Sequence, residues 1–248
     1  MVTGASRGLG KYSALRLAAE GCDLAICARS EDALTVAAEE IEAEGARVVA
    51  RSLDVTAPGA AESMVAETLE SLGRIDILVN NVGGNRRGHV DETTDEDWDA
   101  ILDLNFKSHL RFSRAVIGPM RAQQEGVILF ISSIFGREAG GKGLAIYNTT
   151  KSALISLAKI MALELAGEGI RVNSIAPGSI RFPGGSWDKR CIEDPEGMAE
   201  FIRQNIPLGR FGSAEELADV VTFLASPRAS LVTGACINVD GGQSHSLI

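Results

Sequence analysis

The sequence predicts an α/β fold, a parallel sheet doubly wound by helices on both faces. Three observations predict it. Short apolar runs of strand length alternate with longer segments of helical spacing, which implies βαβ units. A glycine-rich turn, Thr3-Gly4-Ala5-Ser6-Arg7-Gly8-Leu9-Gly10, opens a helix near the start. No repeat, low-complexity tract or linker interrupts the alternation, so all 248 residues are read as one domain, 1–248.

Strands are predicted at 24–27, 48–53, 75–80, 127–132, 171–175 and 236–239, and helices at 9–20, 31–44, 58–72, 95–120, 144–168 and 213–225. A phosphate-binding turn should follow a full strand, usually about 5–6 residues long. Only Met1 and Val2 precede this one. Either the first strand is unusually short or residues precede Met1 in the working protein. The glycines would let backbone N–H groups and a helix N-terminus approach a pyrophosphate. They also suit a plain tight loop.

The next connections bear on the ligand. In the usual NAD arrangement an acidic residue ends the second strand and bonds the ribose 2′-hydroxyl. Here Ala28 holds that place, followed by Arg29, and Arg7 lies in the glycine turn. Two arginines and no carboxylate suit a 2′-phosphate, which favours NADP(H) over NAD(H). Asp54-Val55 follows the run 48–53. Asn80-Asn81-Val82-Gly83-Gly84 ends the next strand, and suits a turn or close approach to a ligand.

In 95–120, Trp98, Ile101, Leu102, Leu104, Phe106 and Leu110 have core-like spacing, with Asn105 on the flank of that stripe. A buried asparagine must find partners and can disturb the helical ladder. A structural and an active-site role are both open. Ser132-Ser133 closes the strand 127–132, and Pro177-Gly178 follows 171–175. These pieces all fall at the carboxyl edge of a parallel sheet, where open α/β folds bind ligands.

Tyr147 and Lys151 lie four apart, on one face of the predicted helix 144–168. A phenol ionises near pH ~10, and a neighbouring cation favours the phenolate. Bringing it near neutrality takes roughly 4 kcal/mol of local electrostatics, which a water-poor cleft can supply.

Charge and composition exclude other classes. Lys and Arg number 24 against 33 Asp and Glu, a net charge of −9, which argues against nucleic acid or an anionic membrane. No apolar run approaches the ~18 residues of a membrane span, and no signal-peptide pattern opens the chain. Four cysteines without CxxC pairing and three separated histidines give no metal-ligand cluster. Free thiols point to a reducing, cytoplasmic compartment.

Taken together, TGASRGLG, NNVGG, ISS, YNTTK and APG, ending with Val239-Asp240-Gly241-Gly242, resemble the short-chain dehydrogenase/reductases over essentially the whole chain. Within that family the chain looks most like the 3-oxoacyl-acyl-carrier-protein reductase-like members. The resemblance implies a Rossmann fold and hydride transfer between a nicotinamide and a carbonyl or secondary alcohol. Tyr147 would be the acid/base, with Lys151 lowering its pKa and holding the nicotinamide ribose. Ser133 would bond the substrate oxygen and Asn105 a relay water. Thr3, Gly4, Ser6, Arg7, Gly8, Leu9 and Gly10 would bind the diphosphate and adenosine end, with Arg29 beside them. Asp54 and Val55 would flank the adenine, Asn81, Val82 and Gly83 the ribose, and Pro177, Gly178 and Ile180 the nicotinamide. A homotetramer or homodimer is implied, using the long fourth and fifth helices.

This chain departs from the family pattern at four points. The first strand is short, Val82 replaces an alanine, and Ser133 to Tyr147 spans one residue more than is common. The choice of Ser133 over Ser132 therefore rests on Gly136, three residues on. Phe182 stands where threonine is frequent, putting one coenzyme hydrogen bond in doubt. Segment 182–205, with little helical signal before 196–204, is expected to form a lid over the substrate. Trp187, Met198, Phe201 and Ile202 would form its apolar underside. The expected substrate is a small carbonyl or alcohol, reduction of 3-oxoacyl groups being favoured over sugar or alcohol oxidation. A non-catalytic NADP-binding sensor or scaffold is the rival from another class.

Overall fold

The computed structural model describes residues 1–247. Among the described residues nine strands, seven of them in one sheet, and nine α-helices run in order: β1 (Val2–Thr3), α1 (Gly8–Ala19), β2 (Leu24–Ala28), α2 (Glu31–Glu42), β3 (Val48–Ser52), α3 (Ala60–Leu72), β4 (Ile77–Asn80), α4 (Asp95–Leu102), α5 (Ser108–Gln123), β5 (Gly126–Ile131), α6 (Ala145–Leu165), β6 (Ile170–Pro177), the short β7 (Ile180–Arg181), α7 (Ser186–Glu193), α8 (Pro195–Asn205), the short β8 (Gly212–Ser213), α9 (Ala214–Ala225) and β9 (Cys236–Val239). The seven are β1 to β6 and β9; β7 and β8 pair separately.

The main sheet has the order β3-β2-β1-β4-β5-β6-β9, and each neighbouring pair is parallel. Its direction reverses between β1 and β4, which opens a crevice at their carboxyl ends. Alternate strand residues face opposite layers. Ile128 and Phe130 pack with Met64, Phe112 and Leu154 of α3, α5 and α6. Leu129 and Ile131 pack with Leu17, Ile41 and Val221 of α1, α2 and α9. Helices thus cover both faces, as a sheet of nearly all-apolar strands requires.

Two expectations are corrected. The segment 95–120 is not one helix but α4 and α5 joined by a π-helical stretch, Asp103–Lys107, that contains Asn105. Segment 182–195 is not irregular, because α7 occupies most of it. β1 spans two residues, held by Ile26 and Cys27 on one side and Val79 on the other.

Candidate active site

The amino-terminal turn of α6 carries Tyr147 and Lys151 one turn apart, with the Lys151 ammonium 5.8 Å from the tyrosine ring centroid. Lys151 is buried, and Nζ donates to the Ile131 carbonyl at 2.7 Å. Burial lowers its pKa to about 8. The Tyr147 and Ser133 hydroxyls are hydrogen-bonded to each other. Burial raises the Tyr147 pKa and the Ser133 bond opposes the rise. The expected lowering by Lys151 is therefore not present, because the cation's nearest polar partner is a strand carbonyl and desolvation of the phenol dominates.

The two serines divide their work. Ser132 donates to the Lys151 carbonyl at 2.8 Å and so ties β5 to α6. Ser133, in extended conformation, accepts from the Phe135 amide at 3.1 Å and turns toward Tyr147. Gly136 lets this turn lie flat on the helix, since a Cβ there would come within 2.7 Å of the Lys151 carbonyl oxygen.

Asn105 is fully buried. Its Oδ1 accepts from the Gly84 amide at 2.8 Å, and Nδ2 donates to the Gly84 carbonyl at 2.9 Å and to Thr150 Oγ1 at 3.0 Å. Both amide hydrogens are thus used within the protein. Asn105 locks the loop after β4 to α6, and only Oδ1 has capacity left for a relay water. Opening the ladder into a π turn is what aims this side chain inward.

Beside these residues runs a cleft of about 390 Å³. Gly4, Ser6, Arg7, Gly8 and Leu9 of the glycine turn line it, with Arg29 after β2, Asp54 and Val55 after β3, and Asn81, Val82 and Gly83 after β4. Gly83 joins the cleft to the catalytic candidates: a Cβ on it would lie 3.3 Å from Lys151 Nζ and 3.6 Å from Asn105 Oδ1. Asp54 accepts from the Thr56 amide at 2.9 Å and hydroxyl at 2.7 Å, which with nearby Arg29 holds its carboxyl below the usual range.

Besides Tyr147 and Lys151 of the catalytic group, five expected coenzyme residues are not among those lining this cleft. Thr3 is buried, and its hydroxyl accepts from the Asn81 amide at 3.0 Å. Gly10 packs against the Gly4 carbonyl and the Asn81 amide, which a Cβ would strike. Both residues build the turn. Pro177 ends β6, Gly178 donates to the Val239 carbonyl at 3.0 Å, and Ile180 is buried in β7.

The structure also adds residues that sequence reading passed over. Thr150 bridges Asn105 to the Tyr147 carbonyl, donating to it at 3.0 Å. His109 is fully buried; Nε2 donates to the Val82 carbonyl at 2.7 Å and the ring stacks on Phe130. Its spacing of four from Asn105 was a signal for a shared helical face. A second cavity of about 300 Å³ lies between Gly88–Val90 and 139–145, touching Leu144, Ala145 and Asn148 beside Tyr147.

A hydroxyl pair beside a buried amine, after β5 of a parallel sheet ordered β3-β2-β1-β4-β5-β6-β9, can hydrogen-bond a carbonyl oxygen and exchange a proton with it. Comparison with known proteins decides the kinship. Residues 4–244 match the family described as enoyl-(acyl carrier protein) reductase. The chain belongs to the short-chain dehydrogenase/reductase family. A short-chain relative from Thermotoga maritima, a 3-oxoacyl-[acyl-carrier-protein] reductase, is 37% identical over 98% of this chain and 96% of its own length. The L-sorbose reductase of Gluconobacter frateurii, solved with NADPH and L-sorbose, superposes with TM-score 0.94 at 35% identity, covering 99% and 96%. NAD⁺-bound xylitol dehydrogenase superposes with TM-score 0.90 at 31% identity, covering 97% and 96%. As a short-chain dehydrogenase/reductase, this chain is an oxidoreductase acting on CH–OH or C=O groups with a nicotinamide coenzyme.

Among the described residues no group of His, Cys, Asp and Glu could hold a metal ion, and no helix is long and apolar enough to cross a membrane. The four cysteines are free, with Cys27 buried.

Proposed function

We infer that the chain is a cytoplasmic, single-domain, NADPH-dependent ketone reductase, with 3-oxoacyl thioesters as its substrate class. The observation that carries this reading is the Ser133–Tyr147–Lys151 group opening beside a cleft that offers Arg7 and Arg29. No carboxylate follows β2 there, and Asp54 is already engaged by Thr56. These residues fit a nicotinamide dinucleotide phosphate: Arg7 and Arg29 match the charge of a 2′-phosphate, and the bare turn and helix N-terminus match a diphosphate. The Thermotoga relative supports the acyl substrate.

When bound, the coenzyme supplies the hydride. The chain's own residues do the rest. Ser133 Oγ and the Tyr147 phenol hydrogen-bond the carbonyl oxygen as it gains negative charge, and these bonds strengthen in the transition state. Tyr147 then gives its proton to that oxygen. Lys151, fixed by the Ile131 carbonyl, stabilises the phenolate left behind, and its other ammonium hydrogens would hold the nicotinamide ribose. Asn105 and Thr150 keep the β4 loop and α6 at the right separation. Segment 182–205, as α7 and α8, forms the lid. Its inner side is an aromatic cluster in which Trp187 lies 4.9 Å from Phe201 and 5.1 Å from Phe211. The outward faces of α5 and α6 are assigned to a homotetramer, or to a homodimer as its half.

The test is oxidation of NADPH and NADH, followed by absorbance, across 3-oxoacyl thioesters, simple ketones and ketoses. Turnover with NADPH and a 3-oxoacyl thioester is expected, and Tyr147→Phe should lower kcat by at least about 10²-fold with little change in coenzyme affinity. Near-normal turnover in that variant defeats the catalytic assignment. Reduction of ketoses alone shifts the substrate to sugars, and coenzyme binding without any turnover favours a sensor.

A further inference from the structure

Gly8 is the second glycine of the turn, the position where a dinucleotide's diphosphate needs bare main chain. A side chain lies against it. A Cβ on Gly8 would meet Cε2 and Cζ of Phe182 at 2.7 Å each, so the phenyl edge rests on the glycine. The same two ring atoms also lie against Gly185, where a Cβ would be 2.9 Å from Cε2 and 3.0 Å from Cζ. Phe182 is thus packed against two glycines, and its ring forms part of the coenzyme cleft wall.

The segment behind the ring is built to hold it there. Gly185 donates to the Phe182 carbonyl at 2.9 Å, closing a four-residue turn with Pro183 second and Gly184, at φ +71°, third. Proline then glycine in those places is the chemistry of a type II turn. Asp188 fastens it, one oxygen accepting from the Gly184 amide at 3.0 Å and the other from Arg181 Nε at 2.9 Å. The same Gly185 is the residue from which α7 starts.

We propose that Phe182 gates the coenzyme site: the ring must leave Gly8 before the diphosphate can settle, and its departure carries α7 with it. A phenyl edge and a phosphate cannot both contact one Cα from the same side. The turn joins ring to helix without a spacer, so coenzyme binding and lid movement are one event. The gate rests on the placement of the diphosphate at the glycine turn. When a binding-competent state is a minor fraction, apparent affinity falls by that fraction, and removing the obstacle restores it.

Stopped-flow fluorescence of NADPH binding to the full chain tests this without turnover. Phe182→Ala should raise the association rate constant at least about threefold and tighten the dissociation constant correspondingly. Phe182→Leu, which keeps an apolar side chain should alanine unsettle the lid, should lie between. Asp188→Asn, which loosens the turn but leaves the ring, should also speed association. Unchanged association in both Phe182 variants, or faster release alone, overturns the gate, since a ring that clamps bound coenzyme would give the latter. Arg7→Glu, a change at an exposed side chain, separates the two readings. If it leaves NADPH affinity unaltered, the placement of the coenzyme's phosphate end at the glycine turn fails and the gate with it. If it weakens affinity while Phe182→Ala binds at the parental rate, only the gate fails.

Discussion

His109 illustrates how far one side chain's surroundings set its chemistry. Burial and the nearby Lys151 cation push its pKa down to about 3, against 6.5 for the free ring, although the Val82 carbonyl opposes the fall. The imidazole is therefore neutral in the fold, with Nε2 carrying the proton toward Val82 and Nδ1 buried without a partner among the described residues. Below pH 6.5 the unfolded chain binds a proton here that the native state refuses. Stability is thus full above that value and is lost as pH falls toward 3. At pH 5 the loss from this group is about 2 kcal/mol. Carboxylates such as Asp23 and Asp54, whose pKa values lie below 3.8 in the fold, lose their contribution only at lower pH. Urea unfolding at pH 7 and pH 5 should show a drop that shrinks by about 2 kcal/mol in His109→Gln. Equal drops in both proteins would mean that the ring takes up its proton without cost.

At the level of elements, what could be read from sequence was what local pattern determines. The runs that became β2 and β5 are apolar on both faces, and α9 announces itself with Ser213 followed three residues later by Glu216. Both halves of that capping box form: Ser213 Oγ accepts from the Glu216 amide at 3.2 Å, and Glu216 accepts from the Ser213 amide at 2.9 Å. Arg210 pairs with the same carboxylate, which holds its pKa near 2. Because α9 buries Leu217, Val221 and Leu224 against the sheet, its first turn unfolds with the whole molecule. Ser213→Ala should cost about 1 kcal/mol, read as a lower urea midpoint with an unchanged slope. A neutral result would place that turn outside the cooperative unit.

What escaped the sequence is what depends on distant partners. The stripe Trp98 to Leu110 is continuous, so nothing local betrays the π stretch that Gly84 and Thr150 stabilise through Asn105. α7 has too few apolar residues to show helical spacing, and β7 and β8 are two residues each. At the site, the spacing to Gly136 pointed to Ser133, the serine hydrogen-bonded to Tyr147. The direction of the Tyr147 shift could not be read, because it follows from burial and from where the Lys151 amine points.

For the whole molecule, the outward surfaces of the helices bear on assembly. On α6, Ile160 is 51% and Leu163 68% exposed, on a helix whose other face lies in the core, and Phe223 of α9 is 42% exposed. Single exposed apolar residues are ordinary, but two at a spacing of three share one helical face. In a closed symmetric oligomer such a face meets its own copy, so each substitution acts twice per contact. The net charge of −9 works against association and must be outweighed by apolar contact at those faces. For the proposed tetramer, light scattering should give about four times the chain mass of 26.2 kDa. Replacing Ile160 and Leu163 together by glutamate should lower that mass to about two chains or one, while the thermal transition of the separated species stays cooperative. These positions face outward, so misfolding is not the expected cause of any change. A parental protein already at the mass of one chain would remove the tetramer and the dimer alike. An unaltered tetramer in the double variant would move the contact off this face of α6.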